Sequence, residues 1–156
     1  MLELDRIDRR ILEALQQDAS LTNQELADRV GLSASPCLRR VRALENAGII
    51  VRRVAILDAT KIGLEITALI HIGMDRHTPE RFAEFENTVR DYPEVRRCDL
   101  VTGQSADYQL EVTVPSMAAY QDFLLRKITR IDGVSSVHTS FVLRRVVDRT
   151  AFPLAH

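Results

Sequence analysis

The stretch from residue 22 to residue 50 constrains the fold most, because it has the pattern of two short helices joined by a glycine turn. Thr22 and Glu25 have the Thr-x-x-Glu spacing of a capping box, which satisfies free amide groups at the start of a helix. Gly31 follows the apolar positions of this helix and can adopt the left-handed conformation that ends it. The pattern predicts a helix-turn-helix.

The second helix of this pair has its own start and stop signals. Ser33 or Ser35 can cap it, Pro36 suits its first turn, and Gly48 ends it. The helical spacing of its apolar residues predicts a buried stripe, which comprises Leu38, Val41 and Leu44. An earlier helix is predicted with the buried residues Leu4, Ile7, Ile11, Leu12 and Leu15, and with Asp5 and Asp8 near its positive end.

The second helix also carries a local concentration of positive charge. Arg39, Arg40 and Arg42 lie mostly off the apolar stripe, so we expect them to be available to solvent or phosphate. Five arginines and the single acidic residue Glu45 occur between Pro36 and Arg53, whereas the whole chain has 21 basic and 22 acidic residues. Such a local charge footprint favours DNA binding over a merely solvated face. We expect the DNA contacts to come from Thr22, Asn23, Gln24, Ser33, Ser35, Pro36, Arg39, Arg40, Arg42 and Arg52.

The composition excludes several other classes of protein. A hydrophobic content of 46% in 156 residues supports one or two packed domains, and a net charge of −1 argues against a polybasic membrane anchor. No apolar run approaches the roughly 20 residues of a membrane span, and the first residues lack the basic start of a signal peptide. Cys37 and Cys98 are isolated thiols, so we expect no disulfide framework and a cytoplasmic setting.

The hydrophobic pattern changes after the helix-turn-helix. Residues 49–57 could form a strand, and residues 58–65 form a polar hinge that contains a glycine. Alternating and helical periods then predict the order strand, helix, strand, strand, helix, strand over residues 66–147, with a tail at 148–156. This order is that of a ferredoxin-like βαββαβ sheet with both helices on one face.

The other face of this sheet is not covered by the predicted helices. We expect this face to be too apolar to remain exposed to water, on the basis of His71, Ser140, Val142 and the mixed strand at 95–102. We therefore expect self-association through it.

Short motifs along nearly the whole chain resemble those of one known family when they are taken in order. They are Leu4–Leu12, Leu21–Asn23 with Glu25–Ala27, Ser35–Val41, Leu44-Glu45 with Gly48–Ile50, Val101–Gly103 with Asp107-Tyr108, Ser140–Leu143 and Pro153-Leu154. With this order of domains, the chain resembles the Lrp/AsnC family of transcription regulators. The resemblance implies an α+β chain with a winged helix-turn-helix domain over residues 1–57 and an effector and oligomerisation domain over residues 66–147. It also implies double-stranded promoter DNA as a partner, and a homodimer that often assembles into an octamer.

The resemblance further implies an amino acid effector bound between dimers, against the loop that joins the second and third strands. Here this loop is Thr102–Tyr108, hereafter the 102–108 loop. Gly103 would let backbone amides approach a carboxylate, and Asp107 would meet an α-ammonium group. The family spacing is Gly-x-x-Asp, and this chain has one residue more. We expect effector contacts from Leu100, Thr102, Gly103, Gln104, Ser105, Asp107 and Tyr108, and an apolar effector such as leucine or methionine.

Other functions remain open as alternatives. No histidine pair at i, i+4 and no Cys-x-x-Cys occurs, so neither a metal site nor a cofactor is predicted. The sequence has neither a phosphate-binding glycine loop nor a nucleophile elbow, which argues against an enzyme. The two alternatives are an amino-acid-sensing oligomer without DNA binding and a small enzyme on a ferredoxin-like fold.

Overall fold

The computed structural model describes residues 3–103 and 106–154, so Gln104 and Ser105 of the predicted effector site lie outside the described residues. The chain forms two compact units. The first comprises the residues up to 56 together with those from 146 onwards, and the second comprises Leu57–Arg145.

Three helices form the first unit: α1 (Arg6–Gln17), α2 (Asn23–Val30) and α3 (Ala34–Asn46). The predicted capping box at the start of α2 is confirmed, and Gly31 ends this helix with φ 73°. Asp5 forms a second capping box with Asp8 at the start of α1. These local signals fix where each helix begins and ends, so that the apolar faces meet in one core. The fully or almost fully buried members of this core are Ile11, Leu26, Ala27, Val30, Cys37 and Leu44.

Two predictions about this unit are wrong. The buried stripe of α3 comprises Cys37, Val41 and Leu44, whereas Leu38 remains 38% exposed. Residues 49–57 form no strand, because the first unit offers no strand in its described part with which they could pair. Val51, Val54 and Ile56 in this segment are largely exposed.

The second unit contains a four-stranded antiparallel sheet with two helices. Its elements are β1 (Ile66–Met74), α4 (Pro79–Arg90), β2 (Val95–Leu100), β3 (Tyr108–Val114), α5 (Met117–Arg126) and β4 (Val134–Phe141). The strand order is β2-β3-β1-β4, which confirms the predicted ferredoxin-like arrangement. Thr78 and Ser116 cap the two helices with their side chains. Short 3-10 turns lie before β1 and after α5.

The core of the second unit lies between the sheet and its two helices. Every second residue of β1 and β3 faces this core, as the alternating period predicted. The members with the least exposure are Ala68, Ile70, Ile72, Phe85, Tyr108, Leu110, Val112, Val114 and Ile128. β2 is shorter than predicted, since it ends at Leu100 rather than at residue 102.

The opposite face of the sheet is more polar than we expected from the sequence. The register pairs His71 with His138 and Leu69 with Ser140 on this face, and it places Gln109 beside Asp99 and Glu111 beside Arg97. The expectation of a strongly apolar face is therefore wrong. The sequence argument named His71 and Ser140, which do lie on this face, but it left out the polar and charged residues that β2 and β3 contribute to it.

The end of the chain belongs to the first unit. The Gln16 side chain binds the backbone of Phe152 at two points, since Phe152 N–H donates to Oε1 at 2.7 Å and Nε2 donates to the Phe152 carbonyl at 3.1 Å. Leu154 packs against the core of the three helices. The polypeptide thus passes twice between the two units, once near residue 56 and once near residue 146.

Candidate functional site

The helix α3 presents two exposed arginines in its middle turns. Gly31 leads the chain out of α2, and Ser33 then occupies the N-cap position of α3 without a side-chain cap hydrogen bond. Arg39 and Arg42 are exposed, and neither forms an ion pair with any residue that the structure describes. This is the arrangement in which cationic side chains of a second helix can meet DNA phosphates or base edges.

The guanidinium of Arg40 is paired within the unit and is not free to contact DNA, in contrast to the expectation from its position on the helix. Its Nη1 atom donates to Asp5 Oδ2 at 2.7 Å and to Asp8 Oδ1 at 2.8 Å. The two carboxylates raise the pKa of Arg40, with Asp8 the larger cause, so the guanidinium is always charged. Hydrogen bonds from the backbone of Asp8 and from Arg40 lower the pKa of Asp5. Arg40 therefore fastens α3 to the capped start of α1.

Three predicted DNA-binding residues at the start of α2 have different partners. Thr22 completes the capping box with Glu25, whose carboxylate accepts from both the backbone and the hydroxyl of Thr22 at 2.7 Å. Asn23 donates from Nδ2 to the Ala34 carbonyl at 2.8 Å, and so it ties the start of α2 to the start of α3. Gln24 is exposed, and its side chain donates to Asp28 within its own helix at 2.9 Å.

The other predicted contact residues lie before, within and after α3. Ser33 and Ser35 are exposed, and Pro36 is half-buried within the first turn of the helix. Arg52 is exposed in the segment that follows α3. Ser33, Ser35 and Pro36 thus lie at the start of the helix that carries Arg39, whereas Arg52 lies six residues after its end.

The 102–108 loop is held in shape by Asp107. The Oδ2 atom of Asp107 accepts from the Met74 amide at 2.7 Å, and its Oδ1 atom lies 2.8 Å from Nε2 of His77. The Asp107 backbone also bonds to Ile72 and Val101. Both carboxylate oxygens therefore have partners inside the second unit. We predicted neither His77 nor Met74 as partners, since both lie far from the loop in sequence.

The remaining predicted effector residues differ in exposure. Leu100 is 56% exposed, and Thr102 and Gly103 are exposed, with φ 92° at Gly103. Tyr108 is only 1% exposed, and its hydroxyl donates to Glu86 Oε1 of α4 at 2.8 Å. Tyr108 therefore faces the helices and forms no wall of the loop.

No helix in the described part of the chain combines the length and the apolar character that crossing a membrane requires.

Comparisons with known proteins agree with this architecture. The model of the winged helix-turn-helix DNA-binding family matches residues 4–51, and that of the Lrp/AsnC ligand binding domain matches residues 67–152. The Bkd operon transcriptional regulator of Pseudomonas aeruginosa is 42% identical over 99% of this chain and 100% of its own length. The leucine-responsive regulatory protein of Rhizobium meliloti is 40% identical over 94% of each chain.

Solved structures show the same fold. A transcriptional regulator of Neisseria meningitidis in complex with L-Met superposes with a TM-score of 0.92 at 38% identity and covers 97% of each chain. The AsnC protein of Escherichia coli superposes with a TM-score of 0.88 at 28% identity, over 97% of this chain and 100% of its own. These relatives are regulators rather than enzymes. The chain belongs to the Lrp/AsnC family of transcriptional regulators, with a helix-turn-helix DNA-binding domain and an amino-acid-binding domain.

Proposed function

We propose that the chain regulates transcription by placing α3 in the major groove of promoter DNA. Arg39 and Arg42 would make the central contacts, because they are exposed and have no acidic partner in the described chain. This exposure is the single observation that carries the proposal. The further contacts would come from Gln24, Ser33, Ser35, Pro36 and Arg52.

Three of the residues that we predicted to contact DNA have positioning roles in this proposal. Arg40 holds α3 on α1, and Asn23 holds the start of α2 on the start of α3. Thr22 caps α2. Each acts on DNA through the orientation of α3, so its replacement would affect the stability of the unit as well as the affinity.

We further propose that a free amino acid with an apolar side chain is the effector and binds at the 102–108 loop. A relative of 38% identity has been solved with L-Met, which supports an effector of this kind. Leu100, Thr102 and Gly103 are exposed there and could contact it. In this proposal Asp107 shapes the loop through Met74 and His77, and Gln104 and Ser105 remain predicted contacts outside the described residues.

A homodimer is the proposed form of the protein, with an octamer as the higher assembly and the cytoplasm as its location. Val51, Val54 and Ile56 expose 83%, 62% and 68% of their surface in a segment that belongs to no helix or strand. A second copy could supply the apolar cover. Isolated exposed apolar residues are common, whereas several of them within six residues are typical of an interaction surface.

The test of DNA binding uses the region upstream of the gene for this protein and the regions upstream of its neighbours. Fluorescence anisotropy would compare the wild type with Arg39→Ala and Arg42→Ala at several salt concentrations. A lost base contact should cost about 1–3 kcal/mol and relax sequence preference. A lost phosphate contact should weaken all sequences alike and lower the salt slope by about one. Arg76→Ala, which removes an exposed charge from the second unit, is the matched control. Unchanged affinity in both α3 variants would refute the proposal.

The test of the effector site is calorimetric titration of the full chain with each of the twenty amino acids. Asp107→Asn keeps an acceptor for the Met74 amide but removes the charge. Thr102→Ala changes an exposed loop residue without such a structural role. Both variants should weaken binding and reduce the effect of the effector on DNA affinity. If the two variants bind every amino acid as the wild type does, the effector does not bind at this loop.

A further inference from the structure

Two histidines lie directly opposite each other on the face of the sheet that the helices do not cover. The register of β1 and β4 pairs His71 with His138. His71 lies between Ile70 and Ile72, which are fully buried in the core, and successive side chains of a strand point to opposite faces. Both imidazoles therefore project from the outer face of the sheet. His71 is half-buried and His138 is exposed, so a solute can reach them.

The spacing of this pair suits a metal ion held by both rings. Side chains directly opposite in an antiparallel pair have Cβ atoms about 4.5–5.5 Å apart. Imidazole nitrogens bind Zn²⁺ at about 2.0–2.1 Å, so two nitrogens of a tetrahedral site lie about 3.3 Å from each other, and the two rings can converge to this separation. Neither imidazole forms a hydrogen bond or an ion pair within residues 3–103 and 106–154, which leaves the ring nitrogens available.

The neighbours of the pair in the sheet favour a cation. Gln109 lies beside His71, and Asp99 lies beside Gln109. This row of side chains across the sheet contains a carboxylate and no arginine or lysine, so a metal ion would meet no like charge in it. Arg145 reaches the next row, where its guanidinium is bound to Glu111 at 3.1 Å and its charge is compensated.

One chain supplies only half of a closed metal site at this position. No group of three or more histidine, cysteine, aspartate or glutamate side chains within residues 3–103 and 106–154 could hold a metal ion. Structural zinc sites have four protein ligands in a tetrahedral arrangement. A twofold axis brings the same surface of two copies together. Two copies that meet at this face therefore supply four imidazoles, which is the number that the ion requires.

We propose that His71 and His138 of two copies bind one divalent metal ion that prefers imidazole ligands, such as Zn²⁺, between the outer faces of their sheets. This proposal rests on the homodimer proposed above and adds a contact to it. The outer face is too polar to associate through apolar burial alone, whereas a metal bridge requires polar ligands. The ion would stabilise the dimer and fix the orientation of the two sheets.

The test uses the full chain, freed of metal with EDTA and then dialysed at about pH 7.5. Calorimetric titration with zinc chloride should give one Zn²⁺ per two chains. Light scattering on a dilution series should show that the dimer persists to lower protein concentration with Zn²⁺ than with EDTA. Because imidazole binds a metal only in its neutral form, binding should be much weaker at about pH 5.5.

The variants His71→Gln and His138→Gln each remove two of the four ligands of the shared site. Loss of a residue that merely orients a ligand costs about 10–100-fold in metal affinity, so each variant should lower the affinity for Zn²⁺ by more than about 100-fold. His77→Gln is the matched control, because it removes an exposed imidazole of the same unit that is paired with Asp107 rather than with another histidine. It should bind Zn²⁺ as the wild type does.

The outcomes separate this proposal from the function on which it rests. If both variants bind Zn²⁺ as tightly as the wild type, the site is overturned. A stoichiometry of one Zn²⁺ per chain, with the same assembly in EDTA, would overturn the sharing between copies. A chain that is dimeric and binds DNA but takes up no Zn²⁺ would overturn the metal site and leave the proposed function intact. A chain that remains monomeric with and without Zn²⁺ would overturn the homodimer together with the shared site.

Discussion

The replacement Arg40→Met separates a residue that positions α3 from one that contacts DNA. Methionine keeps an unbranched apolar stem but cannot donate to the two aspartates at the start of α1. The Arg40 side chain is 33% exposed and that of Asp8 only 11%, so the variant leaves a mostly buried carboxylate without its cation. Exposed ion pairs contribute about 0.2–1 kcal/mol, and breaking a fully buried pair costs about 3–5 kcal/mol. For this half-buried pair we expect a loss of about 1–2 kcal/mol between these limits.

This loss of stability should lower the melting temperature of the first unit and leave that of the second unit unchanged. For a domain of 60–100 residues, 1 kcal/mol corresponds to a shift in Tm of about 4–8 °C. Circular dichroism, which is dominated by helix signal, should therefore show a first unit that melts earlier by about 4–16 °C. Well below this melting temperature, the salt slope of DNA binding should equal that of the wild type.

Arg39→Met is the matched comparison, because it makes the same chemical change one residue earlier at an exposed position. It should change the free energy of unfolding by less than about 0.5 kcal/mol and should weaken DNA binding. The opposite pattern would refute the reasoning. If Arg40→Met melts as the wild type does but loses affinity and about one unit of salt slope, Arg40 leaves the aspartates to bind phosphate.

Three further predictions concern single residues. The hydrogen bonds that Glu25 accepts from Thr22 lower the pKa of Glu25 below 4.5. The stabilisation from this carboxylate is therefore complete above about pH 4.5 and is lost as the pH falls through the lowered pKa. In thermal melts from pH 6 to pH 3 the Tm of the first unit should fall, and Glu25→Gln should reduce this pH dependence. Tyr108→Phe removes the hydrogen bond to Glu86 and should cost about 1 kcal/mol in urea unfolding of the second unit. Gly133→Ala should cost about 1–2 kcal/mol in the same measurement, because φ is 91° there and a Cβ would meet a side chain of α4; a neutral result would contradict this strain argument.

The parts of the fold that the sequence predicted correctly depend on local rules. The capping box of α2 needs two residues at a spacing of three, and the left-handed end of that helix needs one glycine. The strand and helix order of the second unit follows from two periods of hydrophobicity. Neither argument requires any knowledge of which distant elements meet.

The errors and surprises occur where distant residues meet. Arg40 and Asp5 are 35 positions apart, and the predicted stripe of α3 says nothing about the capped end of α1 that lies beside it. Leu38 is exposed, contrary to the prediction, for a similar reason, since the direction from which α1 and α2 pack decides which side of α3 is covered. Charge and helical period alone predicted DNA contacts from Arg39, Arg40 and Arg42 alike. Of these three residues, only Arg40 is paired with carboxylates, those of Asp5 and Asp8.

Asp107 and Glu86 illustrate the same limit in the second unit. The turn chemistry of Gly103 and Asp107 favoured an ammonium partner for Asp107, yet its two oxygens are taken up by the Met74 amide and by His77. No sequence pattern distinguishes Glu86 from the other acidic residues of its amphipathic helix. The sheet brings Tyr108 beneath it, and the Tyr108 hydroxyl donates to one oxygen of Glu86 at 2.8 Å. Both contacts join residues that lie more than 20 positions apart, so neither local turn chemistry nor helical period could predict them.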